Sequence, residues 1–217
     1  MNFQRPAQLD GQTLFLEPLQ EKHRGALRSI SDADQSIWTY FPATFNGAGP
    51  DFDTWFDYTL QKSDRGEHYP FAVTRRDSGV VLGTTRYYDM VPEHRRLAIG
   101  STWYVREARG TLVNCEVRLV TLSYAFEVLN VDRVELIADP YNLASRTAMR
   151  ILDAKEEGTL RHHLVYKDGR VRDSVVFSII GEEWSAVKQR LLGQLAGGTQ
   201  TDAVSKNGKS VSDHLPE

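Results

Sequence analysis

Apolar residues recur along this chain at every second position or at every third to fourth, and the changes of rhythm mark its elements. Thr13-Leu14-Phe15-Leu16-Glu17-Pro18 reads as a first strand, stopped by the proline, which has no ladder donor. Helical segments are predicted at about 20–30 and 50–63; the second carries Asp51 and Asp53 in its first turn, where the helix dipole favours carboxylates. Tyr69 to Arg75 and Val80 to Met90 are strand-like, joined by the turn Arg76-Asp77-Ser78-Gly79, and Arg95 to Val105 is the next strand. From Val113 a long helix carries two apolar lines, Val113, Val117, Val120, Tyr124, Val128 and Leu119, Leu122, Phe126, Leu129, so it buries a broad face. Arg133 to Ala138 is a strand, broken by Asp139-Pro140-Tyr141-Asn142, which starts a helix to about Leu152. Arg161 to Tyr166 and Val171 to Ile180 form a hairpin, and a last helix lines up Trp184, Val187, Leu191 and Leu195.

This order predicts an α/β protein with a mixed sheet and helices on both faces. Residues 1–195 form one domain. Beyond them the composition shifts to Gly, Ser, Thr, Asp and Lys, so 196–217 reads as a flexible tail.

Composition narrows the class. The 217 residues suffice for one sizeable core, and 41% hydrophobic with 25% charged residues is a soluble, globular balance. A net charge of −3 argues against general nucleic-acid binding. No apolar run approaches the roughly 20 residues of a membrane span, so no membrane partner is expected. Cys115 is the single cysteine, so no internal disulfide forms and a reducing cytoplasm is the simplest home. Beside a helix start its thiol would ionise more readily, but an inert, buried thiol is the commoner case. The histidines show no metal-ligand spacing, so no metal is expected.

One stretch carries chemistry. The strand Ile99 to Val105 passes through Arg106–Gly110 into the long helix. The first helical N–H groups lack intrahelical partners, the dipole favours an anion there, and Arg106 and Arg109 add positive charge. A phosphate or pyrophosphate suits such a turn; so does an ordinary loop with solvated arginines.

Arg109-Gly110-Thr111 with Asn114 and Glu116 resembles the acyl-CoA pyrophosphate loop of the GNAT N-acetyltransferase superfamily, in its RimJ/RimL-type branch. Asn142-Leu143-Ala144-Ser145-Arg146 is similar to that branch's Asn-x-x-Ser-Arg helix start. Ala154 to Arg161 and Asp168 to Asp173 resemble its next strand opening and closing hairpin. The resemblance covers about residues 10–195. It implies a GNAT-like mixed, mostly antiparallel sheet whose central strands splay apart, with acetyl-CoA as cosubstrate. Cofactor contacts would come from Trp103, Tyr104, Val105, Arg109, Gly110, Thr111, Val113, Asn114, Asn142, Ser145 and Arg146. The acceptor would be a primary amine, on a protein N-terminus, an amino acid or a small molecule; the alternative is a CoA-binding GNAT-like protein with little or no transferase activity, acting as a regulatory or interaction module, and whether the chain pairs as a homodimer is left open.

The chain departs from the family at informative places. Leu112 stands where many members have a second Gly or Ala, Ala98 where many have a Glu base, Asp153 where a helix-ending Gly is usual, and Met149 where the general-acid Tyr sits. The catalytic set is therefore reduced to Ser145, as a donor to the leaving thiolate, and to His162 or His163 as a base; as strand neighbours these point to opposite faces. Glu116 is expected to order the phosphate loop. Segment 31–70 gathers Trp38, Tyr40, Phe41, Phe45, Phe52, Trp55, Phe56, Tyr58 and Tyr69 with Asp32, Asp34, Asp51, Asp53, Asp57, Asp64 and Glu67. In the resemblance it walls the acceptor site, either recruiting a cationic amine or presenting a solvated acidic surface over a packed lid.

Overall fold

A computed structural model describes residues 3–207. Its elements are β1 (Leu9–Asp10), β2 (Leu14–Pro18), α1 (Arg24–Ala33), α2 (Phe52–Asp64), β3 (Tyr69–Arg75), β4 (Val81–Val91), β5 (Arg96–Tyr104), α3 (Val113–Ser123), β6 (Arg133–Ala138), α4 (Leu143–Ile151), β7 (Lys155–Val165), β8 (Val171–Ile180) and α5 (Gly181–Asn207). They build one eight-stranded sheet in the order β1-β2-β3-β4-β5-β6-β8-β7. Every pairing is antiparallel except β5 with β6.

Two cores sit on opposite faces, as the alternating strands require. Leu14, Leu16, Phe71, Val73, Tyr87, Leu97, Ile99, Leu136, Phe177 and Ile179 pack against Val117 and Leu122 of α3 and Trp184, Val187 and Leu191 of α5. On the other face Leu19, Leu27, Trp38, Phe52, Trp55, Phe56, Ala72 and Trp103 join the sheet to α1 and α2. The expected mixed sheet with helices on both faces is what forms.

The parallel β5–β6 pairing is short. Arg96, Leu97 and Ala98 stand opposite Arg133, Val134 and Glu135, and there the register ends. The cause lies in β5. Its register with β4 jumps from Arg86↔Gly100 to Thr84↔Trp103, so Thr85 faces both Ser101 and Thr102. Ser101 takes a left-handed φ of 48° to accommodate the extra residue. A bulge bends its strand and raises the twist. Ile99 to Tyr104 therefore turn away from β6, which continues to pair with β8 on its far side. Beyond the bulge β4 follows β5 closely, because a Cβ at Gly83 would lie 2.1 Å from the Trp103 carbonyl oxygen.

The differences from the sequence reading have local causes. The long helix changes at Tyr124–Val128 into a π-helical turn, in which Leu129 N–H bonds back to Tyr124. β7 begins at Lys155 rather than Arg161, and its pairing with β8 slips between Leu160 and Leu164. α5 continues past the compositional break at Gly197 to Asn207; the rest of the expected tail lies outside the described residues. Glu116 does not order the phosphate loop. It is buried in the first turn of α3, and its carboxylate accepts from Thr13 N (2.7 Å), Thr13 Oγ1 (2.5 Å) and Leu14 N (3.4 Å). Gly11 makes room for it, since a Cβ there would meet Oε1 at 2.3 Å.

Glu116 thus ties the first long strand to the helix that starts the site. Glu116→Ala strands two main-chain donors and is expected to lose about 2–4 kcal/mol in urea unfolding, with Glu116→Gln in between. A loss below about 0.5 kcal/mol would show that the clamp is not a stability element.

Candidate active site

The gap between β5 and β6 is the mouth of the site. On one side lies the turn into α3. Gly110 has φ 72°, and Arg109 N–H closes a 3₁₀ turn on Arg106 O at 3.2 Å. Thr111 Oγ1 donates to Ala108 O at 2.7 Å and accepts from Val113 N at 3.3 Å. The N–H groups of Gly110, Thr111, Leu112, Asn114 and Cys115 have no main-chain acceptor among the described residues. A row of such donors at the start of an 11-residue helix is an anion cradle. Leu112, the N-cap of α3, leaves its own N–H in the row.

The arginines beside this row are not free. Arg109 Nε donates to Tyr104 O at 2.9 Å and Nη1 to Asp34 Oδ2 at 2.8 Å; Arg106 Nη2 meets the same oxygen at 3.0 Å. Asp34 is buried, and two bonds from Ser36 together with Arg109 hold its carboxyl below the usual range. Arg109 therefore braces the loop against the end of α1. The remaining predicted contacts cluster here. Tyr104 Oη donates to Asn114 Oδ1 at 3.2 Å, Val105 N–H bonds Leu82 O at 2.7 Å, and Trp103 lies edge-on to Trp38, its indole N–H without a partner among the described residues.

α4 follows directly on β6, the other strand of the gap. Asn142 is its N-cap, accepting from Ser145 N at 3.0 Å. The Ser145 hydroxyl, half-buried, is left unbonded among the described residues. Arg146 Nη1 donates to Pro140 O at 2.9 Å, so this arginine locks the turn before α4.

A buried cluster at the end of β6 escaped the sequence reading. Asp139 accepts from Tyr141 N at 2.8 Å and from the Tyr166 hydroxyl, and its Oδ2 lies 3.3 Å from Arg172 Nε. Burial and this carboxylate push the Tyr166 hydroxyl up to about 12. Arg172 Nη1 also donates to Tyr40 O at 3.0 Å, and Lys167 pairs with Asp51. The β7–β8 hairpin is thereby fastened over the mouth, to the β6 end and to the α1–α2 wall. The signal was an arginine near the start of a strand whose later positions are mostly apolar, Val171 to Ile180.

His162 and His163 are not the alternating pair expected. They occupy the slipped part of β7, where His162 has φ 54° and its N–H bonds Asp173 Oδ1 at 2.7 Å, and both are exposed. The wall is also different from an amine-recruiting surface. Asp53 pairs with Arg24 and Arg28, Asp57 with Arg24, Asp51 with Lys167, Asp34 with Arg106 and Arg109, and Glu67 with Lys62. The packed-lid reading holds for these carboxylates. Under the lid, Phe45, Tyr58, His68 and Tyr88 form a ring cluster with centroids 6.2–6.5 Å apart. Burial, with Arg86 and Lys62 nearby, lowers His68 to about 4.

Cys115 is packed against α5, 3.3 Å from Gln194 Oε1, and burial raises its thiol pKa, as befits an inert side chain. No group of three metal-ligating side chains occurs among the described residues. No helix there is long and apolar enough to cross a membrane. A cavity of about 760 Å³ opens elsewhere, between β1, α3 and α5, and includes neither the anion cradle nor the gap.

Comparison with known proteins agrees with this geometry. Residues 13–155 match the family model described as Acetyltransferase (GNAT) domain. The chain is 28% identical over 121 residues to the Bacillus subtilis (strain 168) protein named Uncharacterized N-acetyltransferase YoaA, covering 56% of this chain and 66% of that one, just under two thirds. A GCN5-related N-acetyltransferase from Brucella melitensis is 30% identical in structure alignment, with a TM-score of 0.76 and 88% of each chain covered. Mycobacterium smegmatis RimJ, solved in complex with CoA-disulfide, shares the fold at 22% identity, with a TM-score of 0.77, 91% of this chain and 98% of that one.

His68 gives a pH test of the lid. Its imidazole binds a proton less well folded than unfolded, so the fold is fully stable above about pH 6.5 and loses stability as pH falls toward about 4. The loss is on the order of 3 kcal/mol. His68→Phe is expected to keep most of that stability between pH 7.5 and 5 in urea titrations; equal losses in both proteins would remove His68 as the cause.

Proposed function

The chain belongs to the GNAT acetyltransferase family, and from that premise we propose that it moves an acetyl group from acetyl-CoA to a primary amine by direct transfer in a ternary complex. The observation that carries this reading is the gap itself. The cradle at Gly110–Cys115 and the unpaired edge Ile99–Tyr104 lie on one continuous stretch of chain. The cradle suits the pyrophosphate, and Asn142 and the Ser145 hydroxyl, at the start of α4 just after β6, suit the thioester end. Acetyl-CoA supplies an activated acetyl thioester; the protein supplies donors, alignment and a place for a proton. Held reactants need less side-chain help, which suits a site with few acid–base groups. The position of Cys115, packed against α5, supports transfer without a covalent enzyme step.

The proton has a better receiver than the exposed histidines. Glu135 stands in register with Ala98, where the two parallel strands still pair. Val134 and Leu136 point into the α3-side core, so Glu135 shares the opposite face with Ala98 and Tyr88. Arg133 Nε (3.0 Å) and Arg96 Nη1 (3.5 Å) both address Oε1, which leaves Oε2 for a water or an amine. A carboxylate on β6 thus replaces the one that Ala98 lacks on β5.

Acetyl-CoA at about 100 times its dissociation constant is expected to stabilise the chain by ~2.7 kcal/mol, read as a melting shift. No shift at millimolar ligand would reject the cradle. With an amine panel read by thiol release, Glu135→Gln is expected to lower kcat by about 10²-fold and leave acetyl-CoA binding unchanged. His162→Gln with His163→Gln doing the same would return the base to β7. Ser145→Ala is expected to reduce turnover more than acetyl-CoA affinity; the reverse would make it a binding residue.

A further inference from the structure

Arg86 lies in the middle of β4, opposite Pro70 of β3 and Gly100 of β5. It is 2% exposed, and Nε, Nη1 and Nη2 all lack a hydrogen-bond partner among the described residues. Its guanidinium sits 4.4 Å from the Phe45 ring centroid and 5.7 Å from that of Tyr88. Ring faces attract a cation, but they accept none of its five N–H donors. Asp89, the residue after Tyr88, acts on Arg86 only through space, and no hydrogen bond joins them. A buried cation is tolerated when paired, and a guanidinium fork matches two oxygens of one anion.

We infer that the unpartnered Arg86 guanidinium, caged by Phe45 and Tyr88 beside Gly100, is the seat for a carboxylate of the acceptor, which makes the acceptor an amino-acid-type amine. This rests on the acetyl-transfer reading above and names its substrate class. Three observations set the direction. Arg86 shares the α1–α2 face with Tyr88, Ala98 and Glu135, the row at which the amine is to lose its proton. The cradle for pyrophosphate belongs to the other end of β5, past the Ser101 bulge, so CoA has its own anion site. The wall's carboxylates are largely neutralised by arginine and lysine, whereas Arg86 is buried without a counter-ion. Phe45 and Tyr88, the covering rings, are only half-buried, and Phe45 ends a single 3₁₀ turn, Ala43–Phe45.

The test uses matched acceptors: an α-amino acid, its primary amide, its aminophosphonate analogue and a short peptide amide. Each is assayed by thiol release with wild type and Arg86→Met. The amino acid is expected to exceed its amide in kcat/KM by about tenfold or more in wild type. Arg86→Met is expected to lower the value for the acid by about thirtyfold or more, as truncating one partner of a buried pair does, and to change the amide less than about twofold. Its melting temperature should stay level or rise, because an unpaired buried charge is removed. Arg86→Lys, keeping charge without the fork, should retain only part of the preference. Equal rates for acid and amide, a preference for the peptide amide, or equal losses for both acceptors in Arg86→Met would overturn the seat. A phosphonate preferred to the carboxylate would overturn the amino-acid assignment. Calorimetric titration with the N-acetylated amino acid separates the two readings. Its binding, lost in Arg86→Met, with no thiol release from any amine would support the seat and sink the transferase.

Discussion

Two parallel strands that pair for three residues and then part are what everything else in this molecule serves. A parallel pair inside an antiparallel sheet needs a crossover, here α3 between β5 and β6, and the crossover puts a helix N-terminus at the point of parting. The parting is driven locally by one surplus residue at Ser101, held in a left-handed conformation against its preference. Backbone donors left without a strand partner are costly unless something meets them. The gap is in that sense an unfinished piece of sheet, completed by whatever lies in it.

Such a gap tends to collapse or flare unless its walls are tied, and the polar network ties them. Asp34 draws Arg106 and Arg109, from the loop after β5, to the end of α1. Arg172 reaches from β8 to Asp139 on one side and to the Tyr40 carbonyl on the other. Glu116 fixes the first turn of α3 to the start of β2. These groups join elements that share no strand pairing, and they are buried or half-buried, where a charge must be matched to persist. The arginines read as ligand contacts in the sequence are mostly such struts. Arg109 illustrates the point: its residue type and position suit a pyrophosphate, and its guanidinium is nevertheless spent on Asp34 and the Tyr104 carbonyl.

Local rhythm was legible where one face of an element is buried. Tyr69–Arg75 and Arg133–Ala138 have the strand limits that their alternation predicts, and Asn142 caps α4 as its position before Leu143 suggests. The misses share a cause, which is that pairing register has no local signature. The slip between Leu160 and Leu164 undoes the alternation argument for His162 and His163, and the bulge at Ser101 decides the splay from one residue's φ. Glu116 looked like a loop group because its helix position is near the loop in sequence; in space it faces a strand about 100 residues earlier. Charge partners are equally non-local. Asp34, Asp51, Asp53 and Asp57 looked free because their cations, Arg24, Arg28, Lys167, Arg106 and Arg109, lie outside segment 31–70.

Arg86 and Glu135 were legible only in retrospect, and for the same reason. Each is a charged residue in a strand whose neighbours are buried, which in sequence looks like a solvent-facing position. A sheet covered on both faces has no solvent-facing positions in its centre. Once α1 and α2 are seen to cover the second face, each such charge must have a partner or a task. Glu135 finds Arg133 and Arg96 and keeps one oxygen free; Arg86 finds only ring faces. The sequence departs from its family at Ala98, but the chemistry of that place is not thereby lost. In a sheet, the neighbouring strand offers the same face at the same height, so a carboxylate deleted from β5 can be supplied from β6 without any change of fold.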